Sequence, residues 1–171
     1  MLAQLEDIVA PDLRVLFVAI NPAPKSAEVG QHFATPTNSF WRLLHESGLT
    51  TRRYAPAEAA RLPEEGLGLI SLVGRPTRLA SELRPSELRA GAVALSVEVE
   101  RWRPRLVALL GLTLLPFVLP NAEPGPGEKR ARLAGSRVFV VPNPSGRNRA
   151  YPGFVGKLPW YRALKLASDE R

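Results

Sequence analysis

Four short apolar runs, at residues 15–20, 67–73, 106–110 and 138–141, restrict the folding of this chain more than any other feature of it. Each is too short for a core helix, dominated by Val, Ile and Leu, and followed at once by polar or turn-forming residues, so each reads as a strand buried on both faces. Helical patterns lie between them. Asn38 can cap a helix over residues 39–47 that Gly48 closes, with Phe40, Leu43 and Leu44 inward. Leu88, Ala92, Leu95, Val99 and Trp102 recur at steps of four and three over residues 86–103, one face of a helix that Pro104 stops. Residues 112–119 form a short apolar helix, and a last helix is expected to start near Pro159 and to carry Tyr161 and Leu164 inward. Strands that alternate with helices imply right-handed βαβ crossovers. The expected fold is therefore α/β, a three-layer sandwich whose central four-stranded, mostly parallel sheet is flanked by helices, built as a single domain over residues 1–171.

Composition removes several classes of function. With no cysteine and only two histidines, far apart at His32 and His45, the chain offers neither a disulfide framework nor a metal-ligand cluster, and no metal or cofactor is expected. The amino terminus lacks the basic-then-apolar signature of a targeting peptide, and no apolar run approaches the length of a membrane span. A soluble, cytoplasmic protein without a membrane partner is the expectation. The net charge of +7 is unevenly placed: residues 1–127 carry 13 Lys and Arg against 13 Asp and Glu, whereas residues 128–171 carry 10 against 3. A balanced body with a basic end suits an anionic partner such as a phosphate backbone, or a solvated surface that keeps the protein in solution.

Three polar loops follow the carboxyl ends of strands, where open α/β sheets bind their ligands. The first begins with Asn21-Pro22. A neutral amide there can orient a water or a carbonyl, or can cap the turn before Pro22. The second is Arg75-Pro76-Thr77, and the third runs Pro142-Asn143-Pro144-Ser145-Gly146-Arg147-Asn148-Arg149, stiffened by two prolines and armed with two arginines. Residues 24–37 read as one long loop, in which Phe33 is either a ligand wall or a plug that ties the loop to the core. There is no glycine-rich phosphate cradle and no acidic pair, which sets this crevice apart from those of nucleotide-metabolising enzymes.

Ile20-Asn21-Pro22, the stretch from Phe33 through Ala34, Pro36, Asn38 and Phe40 to Trp41, Leu72-Val73 with Arg75-Pro76-Thr77, and Asn143-Pro144-Ser145-Gly146 together resemble the mismatch-specific uracil-DNA glycosylases and the related thymine-DNA glycosylases. The resemblance spans about residues 11–167 with the motifs in the same order. It implies a metal-free hydrolysis of the N-glycosidic bond of uracil opposite guanine. By that resemblance Asn21 holds the attacking water, Phe33 stacks on the extruded base, backbone groups around Ile20 and Phe33 read its edge, and Ser26 and Ser71 lie beside the pocket. Asn143, Pro144, Ser145, Gly146, Arg147, Asn148 and Arg149 enter the duplex as wedge and backbone contacts. The chain departs from the family pattern at Ala23, often glycine, at Arg147, where bacterial members carry leucine, and at Ser71, where some members carry Lys or Asn. The implied partner is double-stranded DNA with a G·U or related mispair, met by a monomer of bacterial type at the nucleoid. A DNA-binding α/β module without catalysis is the alternative expectation.

Overall fold

The structure, a computed structural model, describes residues 4–170. The first strand, β1 (Val15–Ala19), is buried at every residue. β2 (Leu67–Ser71) pairs with one edge of β1 and β3 (Leu106–Leu110) with the other, both in parallel, and β5 (Arg137–Val141) runs parallel to β3. These are the four expected strands. A fifth, β4 (Gly127–Glu128), pairs antiparallel with β5, so the sheet has the order β2-β1-β3-β5-β4 rather than four strands. Because β4 is two residues long and half-exposed, its sequence carries no apolar signal, and it exists through pairing with β5. The other edge is partly covered as well: Ile8, ahead of β1, exchanges two backbone hydrogen bonds of 2.8 Å with Leu69.

Alternation along the strands divides the core in two. Val15, Phe17, Leu67, Leu69, Ala108 and Phe139 face α2 (Phe40–Glu46) and α5 (Gly153–Asp169). Leu16, Val18, Ile70, Val107, Leu109 and Val140 face α3 (Pro85–Trp102) and α4 (Leu115–Val118). Leu95 and Val99 of α3 are buried, as its period predicts, while Leu88 and Ala92 are partly covered. Helices thus cover both faces of the sheet.

Two expectations need correction. Residues 24–37 are not all loop: α1 (Pro24–Val29) occupies the first part, with a proline in its first turn and Gly30 closing it in the left-handed conformation. A six-residue helix with two buried side chains is too short to display a period. The carboxy-terminal helix starts at Gly153, ahead of Pro159, which lies inside it. A proline there removes a bond to the carbonyl four residues earlier. That carbonyl belongs to Val155, a residue on the exposed side of the helix.

Helix α5 is fastened to the end of β5 by Tyr161, whose fully buried hydroxyl donates to the Pro142 carbonyl at 2.9 Å. Complete burial holds this phenol well above its ordinary pKa, so it remains a donor. Tyr161→Phe should leave the buried Pro142 carbonyl without its partner and lower stability by about 1–2 kcal/mol. Urea denaturation of the variant beside the parent measures this.

Candidate functional site

The sheet reverses direction of growth at β1, which has β2 on one side and β3 on the other. Such a switch point opens a crevice at the carboxyl ends of the strands. Asn21 stands there, half-buried, directly after the buried Ile20. Gly111, which follows β3 and lies beside Ile20 and Asn143, has φ of +128°, a value that strains any other residue. A Cβ at Gly111 would meet Asn143 at 3.5 Å and Ile20 at 3.7 Å, ordinary contacts, so it is the backbone angle alone that calls for glycine.

The Asn21 amide makes no bond to its own turn. Its Nδ2 donates to the Arg75 carbonyl at 2.9 Å and to Thr77 Oγ1 at 2.8 Å, in a loop more than fifty residues away. Thr77 is buried, its hydroxyl donates to the Leu79 carbonyl at 2.8 Å, and its amide donates to the Pro22 carbonyl at 3.2 Å. A hydroxyl has one proton. With that proton committed to Leu79, Thr77 can only accept from Asn21, and the Arg75 carbonyl can only accept as well. Both neighbours therefore demand the amino side of the amide, which fixes its orientation by chemistry. Among the described residues no donor meets Asn21 Oδ1, which is left as an acceptor. Thr77 is the residue that sequence reasoning passed over: its loop stood out as polar, but nothing local marks its hydroxyl as the partner of Asn21. Arg75 in turn is clamped to Glu87 in the first turn of α3, with N–O distances of 2.8 and 2.9 Å, and this partner holds the Glu87 carboxyl down to about 2.

Phe33 combines both readings of its role. Its ring packs on Phe40 at 4.2 Å between centroids and 34° between planes, and it stays half-exposed. Its backbone is left-handed, φ +50°, an uncommon state for a bulky residue that the surroundings must enforce. Three bonds do so. Trp41 Nε1 donates to the His32 carbonyl at 3.1 Å, the Ala34 amide donates to Ser26 Oγ at 3.1 Å, and the His32 ring meets the Glu6 carbonyl through Nε2 at 2.8 Å. Ser26 is buried and holds the turn that presents Phe33. Burial lowers the pKa of His32, with the Glu6 carbonyl and Asp7 opposing, so the neutral ring donates from Nε2. Ser71 ends β2 beside Ala19, half-buried.

The 143–149 loop is self-bonded and tied to both neighbours. Asn143 Oδ1 accepts from the Ser145 amide at 2.9 Å, and Asn148 Nδ2 donates to the Asn143 carbonyl at 3.0 Å. The buried Pro144 accepts at its carbonyl from the Ser39 amide at 3.0 Å, just ahead of α2, where Asn38 Oδ1 takes the Phe40 amide at 2.9 Å. Arg147 Nη1 reaches the Arg78 carbonyl at 3.4 Å, which links this loop to the one that holds Asn21. Arg147 and Arg149 are exposed. The three polar loops therefore share one edge of the sheet.

The basic excess of the last quarter does not all gather there. Arg137, at the opposite end of the strands, pairs with Glu128 and Glu170, and with Arg132, Arg103 and Arg105 lines an open depression of about 790 Å³. Lys157 is buried under α5's own first turn, with Nζ donating to the Gly153 carbonyl at 3.0 Å. Only Arg147 and Arg149 arm the loop itself. Among the described residues no group of three or more His, Cys, Asp or Glu could hold a metal, and no helix is long and apolar enough to cross a membrane.

A switch-point crevice, an oriented amide and a rigid arginine loop now stand beside what the chain is similar to. The family model described as the uracil DNA glycosylase superfamily matches residues 6–165. The chain belongs to the uracil DNA glycosylase superfamily. Its fold is similar to the solution NMR structure of a Methanosarcina acetivorans protein provisionally assigned as a uracil DNA glycosylase, with 17% sequence identity, a TM-score of 0.64, and coverage of 95% of this chain and 97% of that one. The sheet and its flanking helices are thus those of a uracil DNA glycosylase-like fold, and membership supports a hydrolytic DNA glycosylase that acts in base-excision repair.

Close packing holds the arginine loop of this superfamily member in place. A Cβ at Gly146 would lie 2.9 Å from both the carbonyl oxygen and the Cβ of Thr37. Gly146→Ala should push the loop outward, cost about 1–3 kcal/mol as overpacking does, and speed hydrogen exchange at the Ser39 amide as its bond to Pro144 loosens. Thermal unfolding and amide exchange measure the two effects.

Proposed function

We propose that this protein excises uracil from G·U mispairs in double-stranded DNA, as a monomer and a monofunctional glycosylase, leaving an abasic site. The observation that carries the reading is the Asn21 amide, turned by two obligate acceptors so that Oδ1 is the atom left for a water.

A base within a duplex is out of reach of any water in the crevice, so the nucleotide is extruded, at a cost of a few kcal/mol that is smallest for a mispair. The 143–149 loop, with its prolines and exposed arginines, enters the gap and offsets part of that cost. The extruded base stacks on the half-exposed Phe33, which the buried Ser26 holds in place through the Ala34 amide, while Ile20 and Ser71 border it. As the glycosidic bond stretches, positive charge builds on the sugar and negative charge on the base. The water that adds to the sugar carbon is oriented by Asn21 Oδ1, which accepts one of its protons in a hydrogen bond. An amide is too weak a base to remove that proton early in the reaction. The rate therefore rests on how well backbone N–H groups near Ile20 and Phe33 stabilise the departing anionic base. Slow turnover and strong dependence on leaving-group quality are the consequence.

Alkali cleavage of a duplex containing one G·U pair, after incubation with the protein, tests the activity directly. Asn21→Ala should lower the single-turnover rate by about a hundredfold or more, the scale of loss when a reacting group is no longer positioned, with duplex affinity unchanged within a few-fold. Thr77→Val removes the acceptor that orients Asn21 and should cost about tenfold in rate at unchanged affinity, the worth of one hydrogen bond, while Thr77→Ser restores most of it. A protein that binds the duplex but never cuts it is the non-catalytic module instead.

Salt separates the two roles open to Arg149. Loss of a phosphate contact lowers the slope of log affinity against log salt by about one unit, whereas loss of a wedge impairs extrusion. Arg149→Ala should lose more activity on a G·U duplex than on single-stranded uracil DNA. Equal losses on both with a reduced slope would make Arg149 an ordinary phosphate contact.

A further inference from the structure

Of the large apolar side chains that stand exposed among the described residues, Val93 and Val97 belong to α3, Val155 and Leu166 to α5, and Val29 to the end of α1. Leu79 alone stands in a loop, 49% exposed, on the segment that holds Asn21. Its backbone is fixed on both sides. The Leu79 amide donates to Glu82 Oε2 at 2.7 Å, and its carbonyl accepts from Thr77 Oγ1 at 2.8 Å and from the Glu82 amide at 3.1 Å, across the single 3-10 turn Ala80–Glu82. Glu82 is anchored in its turn, because its carbonyl accepts from Arg75 Nη2 at 3.2 Å.

Two parts of the crevice edge meet at this residue. The Thr77 hydroxyl that donates to Leu79 accepts from Asn21 Nδ2, and the Arg78 carbonyl, one residue before Leu79, accepts from Arg147 Nη1 at 3.4 Å. Leu79 thus lies one hydroxyl away from the Asn21 amide and one residue away from the contact with the 143–149 loop. That loop has no apolar surface of its own to offer: its one apolar side chain, that of Pro144, is buried, and Gly146, Arg147 and Arg149 are what it exposes. Extrusion of a nucleotide uncovers the faces of the neighbouring bases, and apolar side chains are what DNA-bending proteins insert against such faces. Single exposed leucines are common on protein surfaces. This one has its backbone clamped by three hydrogen bonds at the rim of the crevice, so it can meet a partner without first losing chain entropy.

We propose that Leu79 is a second, apolar wedge, whose side chain packs against the base face laid open when uracil leaves the stack, beside the 143–149 loop; this rests on the uracil-removing reading of the site. The two loops divide the task by chemistry. The arginines meet phosphate or the gap with charge, and Leu79 covers an apolar face. An apolar contact displaces no counterions, so its loss leaves the salt dependence of duplex binding as it was. What it weakens is extrusion.

The experiment compares full-length Leu79→Ala and Leu79→Met with the parent. It measures single-turnover excision from a G·U duplex and from single-stranded uracil DNA, and the salt slope of duplex affinity. It also follows the fluorescence of 2-aminopurine placed beside a 2′-fluorinated deoxyuridine, whose glycosidic bond resists cleavage. Leu79→Ala should cut the duplex rate roughly tenfold, the low end of what burial of a leucine side chain is worth, and leave the single-strand rate and the melting temperature of the protein unchanged. Its salt slope should match the parent's, and its fluorescence rise on binding the duplex should be smaller. Leu79→Met, equally apolar and of similar volume, should restore most of the rate and of the fluorescence. Equal losses on both substrates, an unchanged duplex rate, or a shallower salt slope would overturn the proposal and leave the glycosylase reading standing. A parent inactive on both substrates overturns that reading itself, and this assignment with it.

Discussion

The two hydrogen bonds that Asn21 donates across the crevice hold the functional end of this molecule together. Asn21 follows a wholly buried strand of the sheet, and its partners Arg75 and Thr77 follow the strand beside it. The bonds therefore join two loops whose roots are already fixed by five paired positions between β1 and β2. A rigid base and a short span leave the amide little freedom. This is how a side chain of modest chemistry becomes a precise acceptor: the protein removes its alternatives, so no reorganisation is left for the moment of reaction. The same logic extends outward, because Arg75 is clamped to α3 through Glu87 and the Arg78 carbonyl receives Arg147. Each loop is held by a neighbour and holds the next.

The opposite wall is built differently. Phe33 is kept in a costly backbone state by an indole, a serine hydroxyl and a buried imidazole, all bonded to the chain on either side of it rather than to the ring. What faces the crevice is an aromatic surface without polar atoms. One wall therefore offers directed hydrogen bonds and the other offers an area for stacking, a division that suits a flat ligand presented edge-on to the first and face-on to the second.

Much of this was legible in the residues. The four parallel strands announce themselves because a strand buried on both faces must be apolar throughout, and α3 because a long helix repeats its face five times. Short elements were not legible. α1 hides in a stretch of small polar residues, β4 has no side chains that reveal it, and Pro159 read as the start of a helix because proline is far commoner there than inside one. The loops of the site were readable as loops, since polar residues after buried strands have few other uses. Their cross-links were not, because a bond from Asn21 to Thr77 is set by strand order and register, which no local pattern contains. The charge asymmetry misled in part: Arg147 and Arg149 lie on the loop after β5, whereas Arg132 and Arg137 line the depression at the far end of the sheet.

The bridge between Ile8 and Leu69 has a consequence for how the protein behaves among other copies of itself. β2 is an outer strand, and its free amides and carbonyls are a template on which another chain can assemble. Ile8 occupies part of that template. Release of the segment ahead of β1 would bare an apolar strand edge and take the Glu6 carbonyl from the His32 ring beside Phe33 in a single event. Solubility and an intact pocket are thereby bound to the same few residues, so selection for either one preserves the other.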